Sequence, residues 1–162
     1  MKNEQETIER AKTDFLRAKQ LLCDALETTP DDRVNWSPSA TSRTPIQLVA
    51  HAASALEHIR EMLNGHTFAI PTTAEADKFF RESEQQFRTR EQVLLLLEEN
   101  STAYLQFLDT LTPEALGTSV EMPFGLGKAP MSAALSAAID HTKWHASQID
   151  YIQTIYGDRV WH

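Results

Sequence analysis

The chain has 162 residues, 41 % of them hydrophobic, and a formal net charge of −8. That length suits one domain, 1–162, able to bury a core. The acidity, with no local Lys/Arg cluster, argues against a nucleic-acid partner, because phosphate binding needs a basic patch. A single cysteine, Cys23, excludes an intrachain disulfide. Cys23 falls within the first predicted helix and is read as a small apolar core residue, not a nucleophile. The start, Met1-Lys-Asn-Glu-Gln-Glu-Thr, lacks the apolar core of a secretory signal. The longest strictly aliphatic run, Val93 to Leu97, is far too short for a membrane span. These features predict a soluble cytoplasmic protein with no membrane partner.

The first helix is predicted from about Glu4 to Leu26. Ile8, Ala11, Phe15, Ala18, Leu22 and Ala25 recur at spacings of three and four, the stripe of an amphipathic helix. Thr28 to Arg43, with two prolines and many Asp, Ser and Thr, reads as a loop. Trp36 within it is expected to tuck back onto the bundle, since so large a ring gains most from burial. A second helix opens on a capping box, Thr44 with Gln47, and has Pro45 where its missing N–H costs nothing. Leu48, His51, Ala55, Ile59 and Met62 share one face, and Asn64-Gly65 ends the helix.

His66 to Arg88 is less regular. Phe79, Phe80 and Phe87 are expected to anchor a short helix or a packed loop there. A second capping box, Thr89 with Gln92, starts the third long helix, which runs through Tyr104 and Leu108 to a stop at Thr112-Pro113. Gly117 to Pro130 is punctuated by glycine and proline and suits a turn or hairpin over one end of the bundle. The last helix is predicted from about Met131 to Tyr156, with Gly157 as its C-terminal cap. Its expected inward line is Ala134, Ala138, His141, His145, Gln148, Ile152 and Ile155. Four long amphipathic segments imply an all-α four-helix bundle.

His141 and His145 are four residues apart on the last helix. At about 3.6 residues per turn both rings leave the same face, so one helix can give two nitrogens to one ion. His51, beside small Ala52 and Ala55 on the second helix, is the candidate third ligand. Three neutral imidazoles suit Zn²⁺, and also Ni²⁺, Fe²⁺ or Cu²⁺. Three protein ligands leave a position open, the pattern of reactive rather than structural zinc. The competing reading is three hydrogen-bonded core histidines. His58 lies two turns from His51, roughly 11 Å along the axis, too far to share an ion; packing or surface is its expected place, with lining a pocket as the alternative. His66 falls in a predicted loop, and the terminal His162 is expected to be mobile. Asp140 adjoins His141 but is expected to point off its face. Trp144 is expected to pack on a neighbouring helix or to wall the pocket. No HExxH motif, phosphate loop or dinucleotide fingerprint occurs.

Trp36-Ser-Pro, Thr44-Pro-Ile-Gln-Leu-Val-Ala-His51 and Asp140-His-Thr-Lys-Trp-His145-Ala-Ser-Gln148 together resemble the DinB superfamily, over Glu4 to Tyr156. The resemblance implies a four-helix bundle with a long connection between its second and third helices, and a metal triad on His51, His141 and His145. It also implies a metal-dependent transferase that adds a low-molecular-weight thiol of the bacillithiol, mycothiol or glutathione type to an electrophile. A homodimer is implied as well. Gln148 would position substrate or a ligand water, or serve only as a core hydrogen bond. Ala146-Ser147 departs from relatives that carry a glycine before the glutamine. A hydrolase activating water at the metal, and a non-enzymatic metal- or small-molecule-binding stress protein, are the alternatives.

Overall fold

A computed structural model describes residues 2–160. His162 lies outside the described residues. The helices are α1 (Lys2–Glu27), α2 (Pro45–Leu63), α3 (Thr73–Glu84), α4 (Arg90–Thr110), α5 (Met131–Ala134) and α6 (Ser136–Ile155). A 3₁₀ turn covers Pro113–Gly117. Strands β1 (Ser119–Glu121) and β2 (Lys128–Pro130) pair antiparallel, with Val120 opposite Ala129. The long helices α1, α2, α4 and α6 form a four-helix bundle, and α3 lies in the long connection between α2 and α4.

Both capping boxes form as the sequence predicts. Thr44 Oγ1 accepts from the Gln47 N–H at 3.2 Å and Gln47 Oε1 accepts from the Thr44 N–H at 3.0 Å. Thr89 and Gln92 make the same exchange. Thr44→Ala should therefore cost about 1 kcal/mol of stability, measured by urea unfolding, and little else. At the other end of α2, Gly65 takes φ +87°. That lets the His66 N–H reach the Glu61 carbonyl and the Gly65 N–H the Met62 carbonyl, so two orphan acceptors are satisfied. Gly157 (φ +98°) closes α6 in the same way.

The stripe of α1 buries Ile8, Phe15, Leu22 and Leu26 against α4 and α6. Phe15 meets Tyr104 of α4 edge-on at 4.8 Å. Small side chains let α2 approach closely: Ala50 and Ala53 are fully buried, and Asn100 of α4 donates to the Ala53 carbonyl at 2.9 Å. Buried Gln153 donates to the Ala25 carbonyl at 3.0 Å and to Thr28 Oγ1 at 3.0 Å, locking the end of α6 to the end of α1. Trp36 does fold back, meeting Tyr156 edge-on at 6.0 Å. Cys23 is half-buried against the core, and burial raises its thiol pKa, as suits a packing role.

Of the two readings of 66–88, a short helix or a packed loop, the helix holds: α3, capped by Thr72 Oγ1. Two expectations need correction. The predicted last helix is interrupted at Leu135, between α5 and α6. Its buried line is Ala138, Thr142, His145, Ile149 and Ile152, while Gln148 and Ile155 are exposed. The apolar stripe predicted from Ile155 and Gln148 was turned too far, because Thr142 and Gln153, both polar, occupy inward positions.

Candidate metal centre

Helix α2 carries His51 in its second turn, and α6 carries His141 and His145 one turn apart. The packing of α2 on α6 brings the three rings together. Ring centroids lie 5.1 Å apart for His51–His141, 4.8 Å for His51–His145 and 4.5 Å for His141–His145. One nitrogen from each lies within 4.8 Å of the others. Nε2 of His141 and Nε2 of His145 are 3.2 Å apart. Two nitrogens held tetrahedrally at about 2.0–2.1 Å from zinc would be roughly 3.3–3.4 Å apart, so this pair fits one ion with little adjustment.

Two neighbours set which nitrogen faces inward. His51 Nδ1–H donates to Glu84 Oε1 at 2.8 Å, and His145 Nδ1–H donates to Gln148 Oε1 at 2.7 Å. A proton on Nδ1 leaves the Nε2 lone pair of each ring for a cation, the arrangement by which outer groups fix metal-binding histidines. Burial, with the neighbouring rings, pushes the His141 pKa down to about 3. Burial likewise pushes His145 down to about 4. Both are therefore held neutral, the form that binds metal. Donor set, tautomers and spacing all fit a divalent cation.

Glu84 is the residue beside the histidines that the sequence reading missed. It comes from α3, its side chain is 1 % exposed, and both its oxygens are engaged. Arg43 Nε–H donates to Oε2 at 2.7 Å. Arg43 also pairs with Asp77 Oδ1 at 3.1 Å, which Arg81 bonds from its other side. Burial pushes the Glu84 carboxyl up, but the bonds from His51 and Arg43 outweigh that and hold its pKa below the ordinary range. A faint signal was available: Ala76, Phe80 and Glu84 recur every four residues, so a carboxylate ends an otherwise apolar line.

Two cavities open beside the histidine pair, one at His145 and the other at His141. One, about 540 Å³, runs along the C-terminal half of α6 and is bordered by Arg43, Arg81, His145, Gln148 and Tyr151. The other, about 430 Å³, runs along α5 and the N-terminal half of α6 and is bordered by His58, Phe80, Phe124, His141 and Trp144. Asp140 and Trp144, both exposed, line this second cavity. Trp144 therefore walls a pocket and does not pack between helices. His58 both lines this cavity and packs among Phe68, Phe79 and Phe80 at centroid distances of 5.2, 6.0 and 5.3 Å, and burial lowers its pKa. His66 is exposed and pairs with the Glu61 carboxylate.

A four-helix bundle with three convergent imidazoles beneath open cavities has the build of a metalloprotein. The family model of the DinB superfamily matches residues 14–149, and the chain belongs to that superfamily. No curated protein matches it. Solved structures agree in fold. DfsB, described as a sibling lethal factor precursor, is 18 % identical, with 93 % of this chain and 97 % of that one covered and a TM-score of 0.73. YfiT from Bacillus subtilis, described as a probable metal-dependent hydrolase with an unusual four-helix bundle topology, is 18 % identical over 93 % and 87 %, with a TM-score of 0.71. ClbS, a colibactin self-resistance protein solved in complex with dsDNA, is 16 % identical over 91 % and 95 %, with a TM-score of 0.66. Among the described residues no helix is long and apolar enough to cross a membrane.

Proposed function

We propose that this chain is a divalent-metal-dependent transferase of a low-molecular-weight thiol to an electrophile, with His51, His141 and His145 as the metal ligands. One observation carries the reading: two cavities of different character reach the two neighbouring histidines of α6, one at His145 and the other at His141, which suits a reaction of two substrates. Zinc is the favoured metal, with nickel or iron as alternatives. A cation held there supplies Lewis acidity that lowers a thiol pKa from about 8.5 and so yields a nucleophile at neutral pH. The S–C bond forms as the leaving group departs with its electron pair, and the thiol proton passes to water. Arg43, Arg81 and Gln148 border the more polar cavity, which suits the amide- and carboxylate-bearing thiol. Gln148 holds His145 through Oε1 and keeps its amide N–H₂ for that cosubstrate.

A hydrolase reading has its own support, since Asp140 lines the apolar cavity beside His141 and YfiT carries that description. Glu84 does not serve as the base, because both oxygens are bonded. The two readings part in one screen. Protein purified without a histidine tag should contain about one divalent ion per chain, and chelation should lower its melting temperature. The holo-protein should conjugate bacillithiol, mycothiol or glutathione to monochlorobimane, and chelation should abolish the conjugation. Turnover of esters or amides without thiol, and none with it, would replace transfer by hydrolysis. With a net charge of −8, we expect no shift of duplex DNA at physiological salt; a retarded band would place this chain nearer to ClbS.

A further inference from the structure

We infer that the cavity on the His141 side is the acceptor pocket, and that it selects a small aromatic or strongly apolar electrophile. The inference rests on the transfer reading above for the word acceptor, but not for the pocket itself. Three observations carry it. First, the walls are aromatic and come from separate elements. Phe80 belongs to α3, Phe68 to the loop before it, Phe124 to the β1–β2 turn and Trp144 to α6. Several of the lining rings contact one another edge-on: Phe68–Phe124 at 5.4 Å, His58–Phe80 at 5.3 Å and His58–Phe68 at 5.2 Å. Alanines 55, 133 and 137 give a shallow apolar floor. Such rings offer edges and faces to a flat apolar guest.

Second, Phe124 is the single non-glycine residue with positive φ among the described residues, at 59°. That conformation costs a residue with a Cβ free energy, and it persists only where its surroundings fix it. Gly125 and Gly127 beside it share the positive φ, so the turn is shaped to bring a large ring to the mouth of the cavity. Third, the cavity ends on His141 and Phe80, and Phe80 touches His51 edge-on at 4.7 Å. A guest seated there lies against the triad. His58 adds an imidazole to the phenylalanine cluster and is a positioning residue for a polar substituent on the guest.

The occupant we commit to is a small molecule. A volume of about 430 Å³ is that of a drug-sized guest, and its walls come from α2, α3, the hairpin and α6.

The test uses the full-length metal-loaded protein and the neutral fluorophore N-phenyl-1-naphthylamine. Expected is saturable binding of one probe per chain, with energy transfer from tryptophan that Trp144→Phe reduces. Ala133→Trp, at an exposed position on the cavity floor, should weaken binding about tenfold or more, the scale of a lost aromatic contact or two. Leu95→Ala, on the exposed side of α4, should change nothing. His145→Ala should still bind the probe, because the pocket does not depend on the metal. Probe binding that survives Ala133→Trp in a variant with native circular dichroism overturns the inference. So does a dimer, seen by sedimentation velocity, that buries this face and excludes the probe. If the holo-protein is inert with every thiol while the probe behaves as stated, the transfer reading fails and the apolar pocket stands. If transfer proceeds with charged acceptors only and the probe does not bind, the pocket assignment alone fails.

Discussion

Replacing His145 by alanine should lower metal affinity by about two to three orders of magnitude, roughly one ligand's share of the binding free energy of a small metal site. Conjugating activity should disappear with the metal. His145 is the natural target because it makes both kinds of contact at the site. Its Nε2 faces His141 at 3.2 Å, and its Nδ1–H is held by Gln148. The ring is nearly buried, so His145→Ala also leaves a void, and His145→Gln is the volume-conserving control. Metal content by mass spectrometry should fall in both variants. His58→Ala should keep its metal, since His58 stands two turns from His51. Native metal affinity in His145→Ala would show that the three convergent rings are a hydrogen-bonded core cluster.

The chain announced the triad through two features that survive in one dimension. A pair of histidines four apart has a fixed meaning on a helix, whatever lies around it. The capping boxes at Thr44 and Thr89 set the ends, and hence the phase, of the helices that follow. His51 needed more, because only the packing of α2 against α6 puts it opposite the pair. What the sequence hid was set by tertiary placement. Gln148 looked inward by helix phase, yet it is exposed at the rim and acts through His145. Trp144 looked like a packing residue because large rings are usually buried, but the β1–β2 turn leaves a cavity beside it. Glu84 was invisible because its partners lie 33 and 41 positions away along the chain. No local spacing rule connects Arg43, His51 and Glu84.

Glu84 should show the second large effect, and its two substitutions should behave differently. Glu84→Ala removes the anion that faces the Arg43 guanidinium, whose side chain is only 12 % exposed. Breaking one partner out of a buried ion pair leaves the other charge uncompensated, at a cost of about 3–5 kcal/mol. Asp77 still contacts Arg43, so the lower end of that range is expected in urea unfolding. Glu84→Gln keeps the volume and one carbonyl acceptor, and should cost less. It cannot accept from Arg43 and His51 with two equivalent anionic oxygens, however, so one of the two bonds weakens. If the lost bond is to His51, the ring is no longer held with its lone pair inward, and metal affinity should fall about 10- to 100-fold, the usual effect of losing a group that orients a ligand. The signature is a stable, folded variant with weakened metal binding, measured by chelator competition. Arg43→Lys supplies the comparison. It keeps the charge but not the guanidinium that bridges Glu84 and Asp77, so it should loosen α3 while leaving the Glu84–His51 bond in place. Metal binding lost equally in Glu84→Gln and Arg43→Lys would mean that Glu84 serves only to pack α3 on the bundle. A loss confined to Glu84→Gln would mean that α3 is part of the metal site itself.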